Sequence, residues 1–197
     1  GYNVQFVGNE EDPDILCDDD QYPLDFQKAH EGHYNRKASW LVDNIKNILT
    51  ANQPNVILLH IGTNDIRSIK IDEYCIDDPD VEDEVVPCTV WNVMRILDEI
   101  DTWEEQNDQE IIVFLALIIK AHPSYSWPKN YNSLVEDYNA HLFLDALSRI
   151  NMDDDRIILV DMEDDAGIQY ENDMNPDPSN PINLLHPLPP GYEKMAD

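Results

Sequence analysis

The chain has little positive charge. It carries 12 Lys and Arg residues against 41 Asp and Glu, a formal net charge of −29 at pH 7. Nucleic acid and anionic membrane surfaces are bound largely through Lys and Arg, so this composition argues against both as partners. Such a surface suits solubility, a saline environment or cation binding, and composition alone does not separate these three roles.

Long apolar runs and phosphate-binding motifs are also missing. No apolar stretch of about 18 residues occurs, so the sequence predicts no membrane span, and no signal peptide is visible. The patterns Gly-x-Gly-x-x-Gly and Gly-x-x-x-x-Gly-Lys-Ser/Thr are absent, which together with the acidity argues against a flavodoxin-like nucleotide binder. The chain begins at Gly1 without Met, which we interpret as a processed, trimmed or partly observed product.

Cysteine is scarce. Cys17, Cys75 and Cys88 are an odd number, which gives no complete disulfide framework. Cys75 and Cys88 flank an acidic loop and are the favoured pair in an oxidising compartment; Cys17 would then be free or bonded outside this sequence. No spacing matches a zinc site. The acidic runs at 18–20, 77–84 and 153–155 lack the order of an EF-hand, and we interpret them as solvated loops.

Apolar strands alternate with amphipathic helices along the chain. Residues 56–61 are a short apolar run after a turn-like stretch at 52–55, the pattern of a strand buried on both faces. The predicted strands are residues 3–8, 56–61, 111–118 and 157–161, the predicted helices are residues 36–49, 89–105, 131–150 and 191–196, and the predicted loops include residues 9–31 and 68–88. This alternation predicts a parallel sheet with helices on both faces, in one three-layer α/β domain spanning residues 1–197.

Three loops carry polar residues that such a sheet would bring together. Asn64 follows the strand at 56–61, within Gly-Thr-Asn-Asp at 62–65, and offers an amide N–H₂ donor. Gly32 would let a backbone N–H approach a ligand closely, and His186 would serve as a general base. A backbone N–H and an Asn amide aimed at one point form an oxyanion hole. Taken singly, each residue is better explained as a turn former or a surface histidine.

In combination, these motifs resemble the SGNH hydrolase (GDSL-type esterase/lipase) superfamily, and within it the carbohydrate esterases of the acetyl xylan esterase type. The matching blocks, in chain order, are residues 1–8, 30–33, 59–65 and 186–196. The resemblance implies a flavodoxin-like three-layer α/β/α fold whose oxyanion hole contains Gly32 and Asn64. It also implies that His186 is catalytic and that no metal or organic cofactor is needed.

Two departures from the family pattern concern catalysis. The family's nucleophilic serine lies in a Gly-Asp-Ser motif upstream of the segment that opens this chain; the motif is absent, and no other serine has its context. The nucleophile is therefore expected upstream of Gly1. The family's Asp, three residues before the histidine, is Asn183 here, and Asn carries no charge to stabilise the imidazolium of His186. Asp173 or Asp177, in the same loop, are candidate substitutes.

The same comparison predicts a gap in the sheet. In a 2-1-3-4-5 strand order, the first strand lies between the opening strand and the strand at 56–61. Without it, two strand edges lose their hydrogen-bond partner. The last helix is also short, since the sequence stops at Asp197. We therefore expect a domain that lacks the first strand and part of the last helix, incomplete at both ends unless another segment or chain fills the gap.

By resemblance, the expected function is that of a secreted serine esterase. It would hydrolyse O-acetyl or other short acyl esters on a polysaccharide or oligosaccharide. The alternative is a catalytically inactive SGNH-fold module for glycan binding or extracellular assembly. Asn183 and the missing serine favour the inactive module, whereas the presence of Gly32, Asn64 and His186 together favours the enzyme.

Overall fold

The main sheet has three parallel strands in the order β3-β4-β5. The computed structural model describes residues 4–11, 29–68, 85–125, 128–152, 155–175 and 183–196. The strands are β1 (Glu10–Glu11), β2 (Ala29–His30), β3 (Val56–Leu59), β4 (Ile112–Leu117) and β5 (Ile157–Asp161). The helices are α1 (Ala38–Asn52), α2 (Thr63–Ser68), α3 (Val85–Asn107), α4 (Tyr131–Met152), α5 (Tyr170–Asp173) and α6 (Pro189–Ala196). The parallel α/β fold predicted from the sequence is confirmed.

The apolar stripes of α1, α3 and α4 form the core with one face of this sheet. The stripes have helical spacing, and the strand residues that meet them alternate along each strand. Buried members of the cluster include Val42, Ile45 and Leu49 on α1, Val93, Leu97 and Ile100 on α3, Val135, Tyr138 and Leu142 on α4, and Leu59, Val113, Leu115 and Ile157 on the strands. This packing fixes the carboxyl ends of the strands, from which the loops of interest leave.

The opposite face of the sheet is open within the described residues. Val56, Leu58, Ile112 and Ile158 alternate with the buried positions and are 47%, 71%, 36% and 45% exposed. Apolar residues at these positions are typical of strands that are buried on both faces. Across the described ranges, β3 pairs only with β4, so its other edge has no ladder. This edge is where the predicted first strand would lie.

The strand predicted at residues 3–8 does not form. Residues 4–8 have no strand pairing, and Val4 is 66% exposed. The prediction was wrong because an alternating pattern forms a strand only where a neighbouring strand pairs with it, and residues 4–8 form no such ladder with the described strands. Conversely, the predicted loop at 9–31 contains a short antiparallel pair, with Glu10 opposite His30.

Parts of two segments that were predicted as a turn and a loop are helical. Residues 63–68 form α2, although Gly-Thr-Asn-Asp suggested a turn. Helix α3 begins at Val85, earlier than predicted, while the loop at 69–84 lies outside the described residues. The short helix α5, within the long polar loop near the C-terminus, was not predicted.

Cys88 forms a disulfide bond. Cys17 and Cys75 both lie outside the described residues, so the pairing of Cys75 with Cys88 stays a prediction. The acidic runs at 18–20 and 77–84 are outside as well. Asp155, at the end of the third run, is not simply solvated, because it accepts a hydrogen bond from Arg149 Nε at 2.6 Å.

The described part of the chain contains neither a membrane-spanning helix nor a cluster of metal ligands. None of its helices is both long enough and apolar enough to cross a membrane. Nor do three or more His, Cys, Asp or Glu side chains within it group in a way that would hold a metal ion.

Candidate active site

The turn after β3 can be built only with glycine. Gly62 has φ +120°, and a Cβ there would lie 2.8 Å from Cζ of the Tyr138 ring. That ring cannot easily give way, because Tyr138 is fully buried and its hydroxyl donates a hydrogen bond to the Ile61 carbonyl at 2.8 Å. The close approach of the backbone to Tyr138 sets where α2, and with it Asn64, begins.

Asn64 lies in the first turn of α2, and its amide is oriented by the loop before α1. Its Nδ2 donates to the Arg36 carbonyl at 3.0 Å. An Asn amide has two N–H donors, so a second hydrogen remains for a ligand. The residue is half-buried rather than enclosed in the core. The structure therefore places Asn64 as an oriented donor beside the loop that contains Gly32.

Asp65 supplies the cap that α1 lacks locally. Lys37 precedes the helix without a side-chain cap, and both Asp65 carboxylate oxygens accept from the Ala38 N–H at 3.2 Å. Asp65 is 3% exposed, and a buried carboxylate at a helix N-terminus is stabilised by the free N–H groups there. Arg67 adds a bond to the Asn35 side chain at 2.8 Å. Asn64 and Arg67 thus bind the loop at 32–37 and Asp65 binds the first residue of α1, connections that the sequence did not reveal.

Gly32 is in this loop, but its single N–H is already engaged. It donates to His30 Nδ1 at 2.9 Å, and a Cβ on Gly32 would meet the same nitrogen at 3.0 Å. A substrate oxyanion would have to replace this bond. The structure therefore connects Asn64, through Arg36, to the loop that contains Gly32. The N–H of Gly32 is bonded to His30.

Glu31 and His33 frame Gly32 on both sides. The Glu31 carboxylate accepts from the Asn9 N–H at 2.7 Å and from Asn52 Nδ2 at 3.0 Å. It is also 2.8 Å from His33 Nε2, and the His33 ring lies 4.5 Å from the Trp40 ring. Sequence reasoning missed these contacts, although the His-Glu-Gly-His order held the signal. They hold the backbone of Gly32 between β2 and α1.

His186 lies in a segment whose backbone is hydrogen-bonded to the end of α5. Its carbonyl accepts from the Asn175 N–H at 3.1 Å, Pro187 forms an antiparallel bridge with Met174, and the Leu188 N–H donates to the Asp173 carbonyl at 2.6 Å. The ring itself is exposed, with Nδ1 3.4 Å from the Tyr192 hydroxyl. The backbone is therefore fixed while the imidazole faces outward.

Asp173, one of the two candidate acids for orienting His186, is bonded to other groups. The Asp173 carboxylate is 2.6 Å from Lys194 Nζ and accepts from the Gln169 N–H at 2.6 Å. The Lys194 hydrogen bond holds the pKa of Asp173 below its usual value. Asp173 therefore stabilises the α5–α6 junction rather than the imidazole of His186, and Asp177 lies outside the described residues. Asn183 begins a short 3₁₀ helix, Asn183–Leu185.

The His186 loop and the Asn64 helix lie at the same end of the sheet. The His122 N–H, after β4, donates to the Leu184 carbonyl at 2.9 Å, and β3 and β4 are parallel neighbours. In such sheets, ligands bind beyond the carboxyl ends of the strands. Within the described ranges, no hydrogen bond joins His186 to Gly32 or Asn64, and no described serine bonds the imidazole.

No protein-family model matches the chain, and no curated protein matches it. Among solved structures, it is similar to an acetyl esterase mutant with an acetate ion, at 20% identity and a TM-score of 0.69, over 98% of this chain and 77% of that one. A carbohydrate esterase family 3 protein from Talaromyces cellulolyticus matches at 19% identity, with the same TM-score and coverage. A family 3 carbohydrate esterase from Clostridium thermocellum matches at 21% identity and a TM-score of 0.62, over 97% and 72%. The chain therefore shares the fold of these three esterase structures.

Proposed function

We propose that the protein is a serine esterase that removes acetyl or other short acyl groups from carbohydrates. The observation that carries this proposal is the oriented Asn64 amide beside the Gly32 loop, at the carboxyl end of a parallel strand. An amide with one N–H fixed by protein and one free is the arrangement that an oxyanion hole requires. The fold shared with an acetyl esterase and with family 3 carbohydrate esterases supports the same choice.

In the proposed reaction, a serine attacks the ester carbonyl while His186 removes the proton from its hydroxyl. Asn64 Nδ2 and the Gly32 N–H hold the negative oxygen of the tetrahedral intermediate, together with the serine N–H. The bond between the acyl carbon and the sugar oxygen then breaks, and His186 gives its proton to that oxygen, which leaves as the sugar hydroxyl. Water attacks the acyl-enzyme by the same route and releases the carboxylic acid. No metal or organic cofactor takes part in these steps.

None of the described serines bonds the imidazole of His186. Of the described serines, Ser39 is buried in α1, the Ser68 hydroxyl donates to the Asp65 carbonyl, and Ser148 contacts Met152. A strand that paired with the free edge of β3 would end beside Asn64, because parallel strands place their carboxyl ends together. We propose that the nucleophile lies at the end of such a strand.

Acetate release from acetylated xylo-oligosaccharides by the full-length protein tests the proposal. We expect Asn64→Ala to lower kcat about 10²- to 10³-fold, the typical cost of an oxyanion donor. Asn44→Ala is the matched control, because its amide also donates to a backbone carbonyl, Trp40, at 2.6 Å but lies within α1. Full-length protein that binds the substrate and releases no acetate would refute the proposal.

One observation favours the second candidate, an inactive glycan-binding module. The Gly32 N–H is already bonded to His30 Nδ1, so one of the two oxyanion donors is not open in this structure. Binding of the same oligosaccharides, by calorimetry, with no acetate released and no effect of Asn64→Ala, would support that candidate over the enzyme.

A further inference from the structure

The ring of His186 contacts the hydroxyl of a residue in the following helix. Nδ1 of His186 lies 3.4 Å from Oη of Tyr192, six residues later. If His186 is the general base proposed above, on which this inference rests, its Nδ1 must carry the proton so that Nε2 can accept one. We propose that Tyr192 is the positioning residue for His186, its hydroxyl oxygen accepting the Nδ1 proton in place of the family's carboxylate.

The backbone holds both residues in one rigid frame. The Tyr192 N–H donates to the Leu188 carbonyl at 3.1 Å, and the Leu188 N–H donates to the Asp173 carbonyl at 2.6 Å. The Asn175 N–H binds the His186 carbonyl, so both ends of this turn are attached to the end of α5. These backbone bonds therefore fix the relative position of the two residues from which the ring and the hydroxyl extend.

Gly191 and Lys194 tighten the same frame. A Cβ at Gly191 would lie 2.6 Å from the Asp173 carbonyl oxygen and 2.9 Å from Pro187 Cβ, so only glycine lets α6 approach this closely. From the next turn, Lys194 pairs with the Asp173 carboxylate at 2.6 Å. These two charges neutralise each other beside the histidine, and neither competes with Tyr192 for Nδ1.

A neutral hydroxyl is a suitable, though weaker, acceptor. Partial burial raises the pKa of Tyr192, so the hydroxyl stays protonated at neutral pH. It can accept from Nδ1–H while donating its own proton to water, since its side chain is 49% exposed. A separation of 3.4 Å is long for this bond, but catalytic hydrogen bonds are often long before substrate binds.

Among the described residues, no carboxylate bonds the ring of His186, and this assignment gives the ring a neutral partner instead. A hydroxyl fixes the ring and its tautomer but gives the imidazolium less stabilisation than an Asp would. We therefore expect Tyr192→Phe to lower kcat about five-fold, the loss of one neutral hydrogen bond, with KM unchanged. The acid limb of the kcat/KM profile should also move, which a merely structural role for Tyr192 would not produce.

The direct test is ¹⁵N NMR of the His186 ring in the full-length protein, which needs no esterase activity. We expect neutral His186 to carry its proton on Nδ1, and Tyr192→Phe to shift it toward Nε2–H. Tyr34→Phe is the control, since its side chain is 87% exposed and it removes the same hydroxyl elsewhere. An Nε2–H tautomer in the unmodified protein, or an unchanged tautomer in Tyr192→Phe, overturns the proposal.

The two readouts separate this inference from the proposed function. If the tautomer depends on Tyr192 while the full-length protein releases no acetate, the positioning role stands and the esterase proposal fails. If acetate is released but neither the tautomer nor the pH profile responds to Tyr192→Phe, the esterase proposal stands and this inference fails.

Discussion

Replacing Gly62 with alanine should destabilise the protein more than any other single methyl group added to the turn after β3. The residue has φ +120°, a conformation that costs an L-residue about 1–3 kcal/mol. The new methyl would lie 2.8 Å from Cζ and 2.9 Å from Oη of Tyr138, and forcing an extra methyl into a packed core costs about 1–3 kcal/mol more. We expect a total loss of about 2–6 kcal/mol, a large part of a typical domain's stability of about 5–15 kcal/mol.

Gly167→Ala separates the two terms. Gly167 also has a positive φ, +63°, but a Cβ there would meet nothing within 4 Å. Its replacement should cost only the left-handed strain, about 1–2 kcal/mol. The assay is equilibrium urea unfolding of both variants, with the free energy of unfolding compared at equal slope. Equal losses for Gly62→Ala and Gly167→Ala would refute the argument that the Tyr138 ring dictates this turn.

Three further predictions concern the neighbourhood of the site and the α3 surface. Asp65→Ala should lower the free energy of unfolding by about 0.5–2 kcal/mol in urea titrations, because α1 loses its cap; an unchanged midpoint contradicts this. Burial raises the pKa of Asp101 to about 6, so the folded protein gains a proton there before the unfolded chain does, and stability from this group rises as pH falls from about 7 toward 4. Asp101→Asn should flatten the rise of Tm between these pH values, whereas the exposed Asp145→Asn should not. His30→Ala frees the Gly32 N–H and should raise kcat/KM about two- to ten-fold, and a fall would show that His30 supports the loop instead.

The sequence predicts the central sheet well because its signals are local. The strand Val56–Leu59 lies within the predicted strand at 56–61, and the strand Ile157–Asp161 has the predicted bounds. Burial on two faces requires continuous apolar residues, and the sequences of β3, β4 and β5 have that composition. Helices α1, α3 and α4 follow in the same way from one apolar stripe each.

The errors arise where a distant partner decides the outcome. Residues 4–8 alternate like a strand but form no strand ladder with the described strands, so the pattern alone was insufficient. The Gly-Thr-Asn-Asp segment looked like a turn, yet Thr63 starts a helix whose Asp65 caps a different helix, 27 residues earlier in the chain. Propensity does not report such tertiary bonds.

The candidate site shows the same division. Sequence order alone singled out Gly32, Asn64 and His186, and the structure adds how each is held. The sequence could not show that the Gly32 N–H is bonded to His30, or that Asp173 pairs with Lys194 rather than orienting the imidazole. Both facts depend on side-chain directions across loops, where no periodicity operates.

Covalent trapping of the nucleophile tests the central claim most directly. The full-length protein would be incubated with an organophosphate such as diethyl p-nitrophenyl phosphate, and the labelled residue located by intact mass and peptide mapping. The account predicts one adduct per chain, on a serine at the end of a strand that pairs with the free edge of β3, formed slowly or not at all in His186→Ala. No adduct, or an adduct that forms equally fast in His186→Ala, would contradict it.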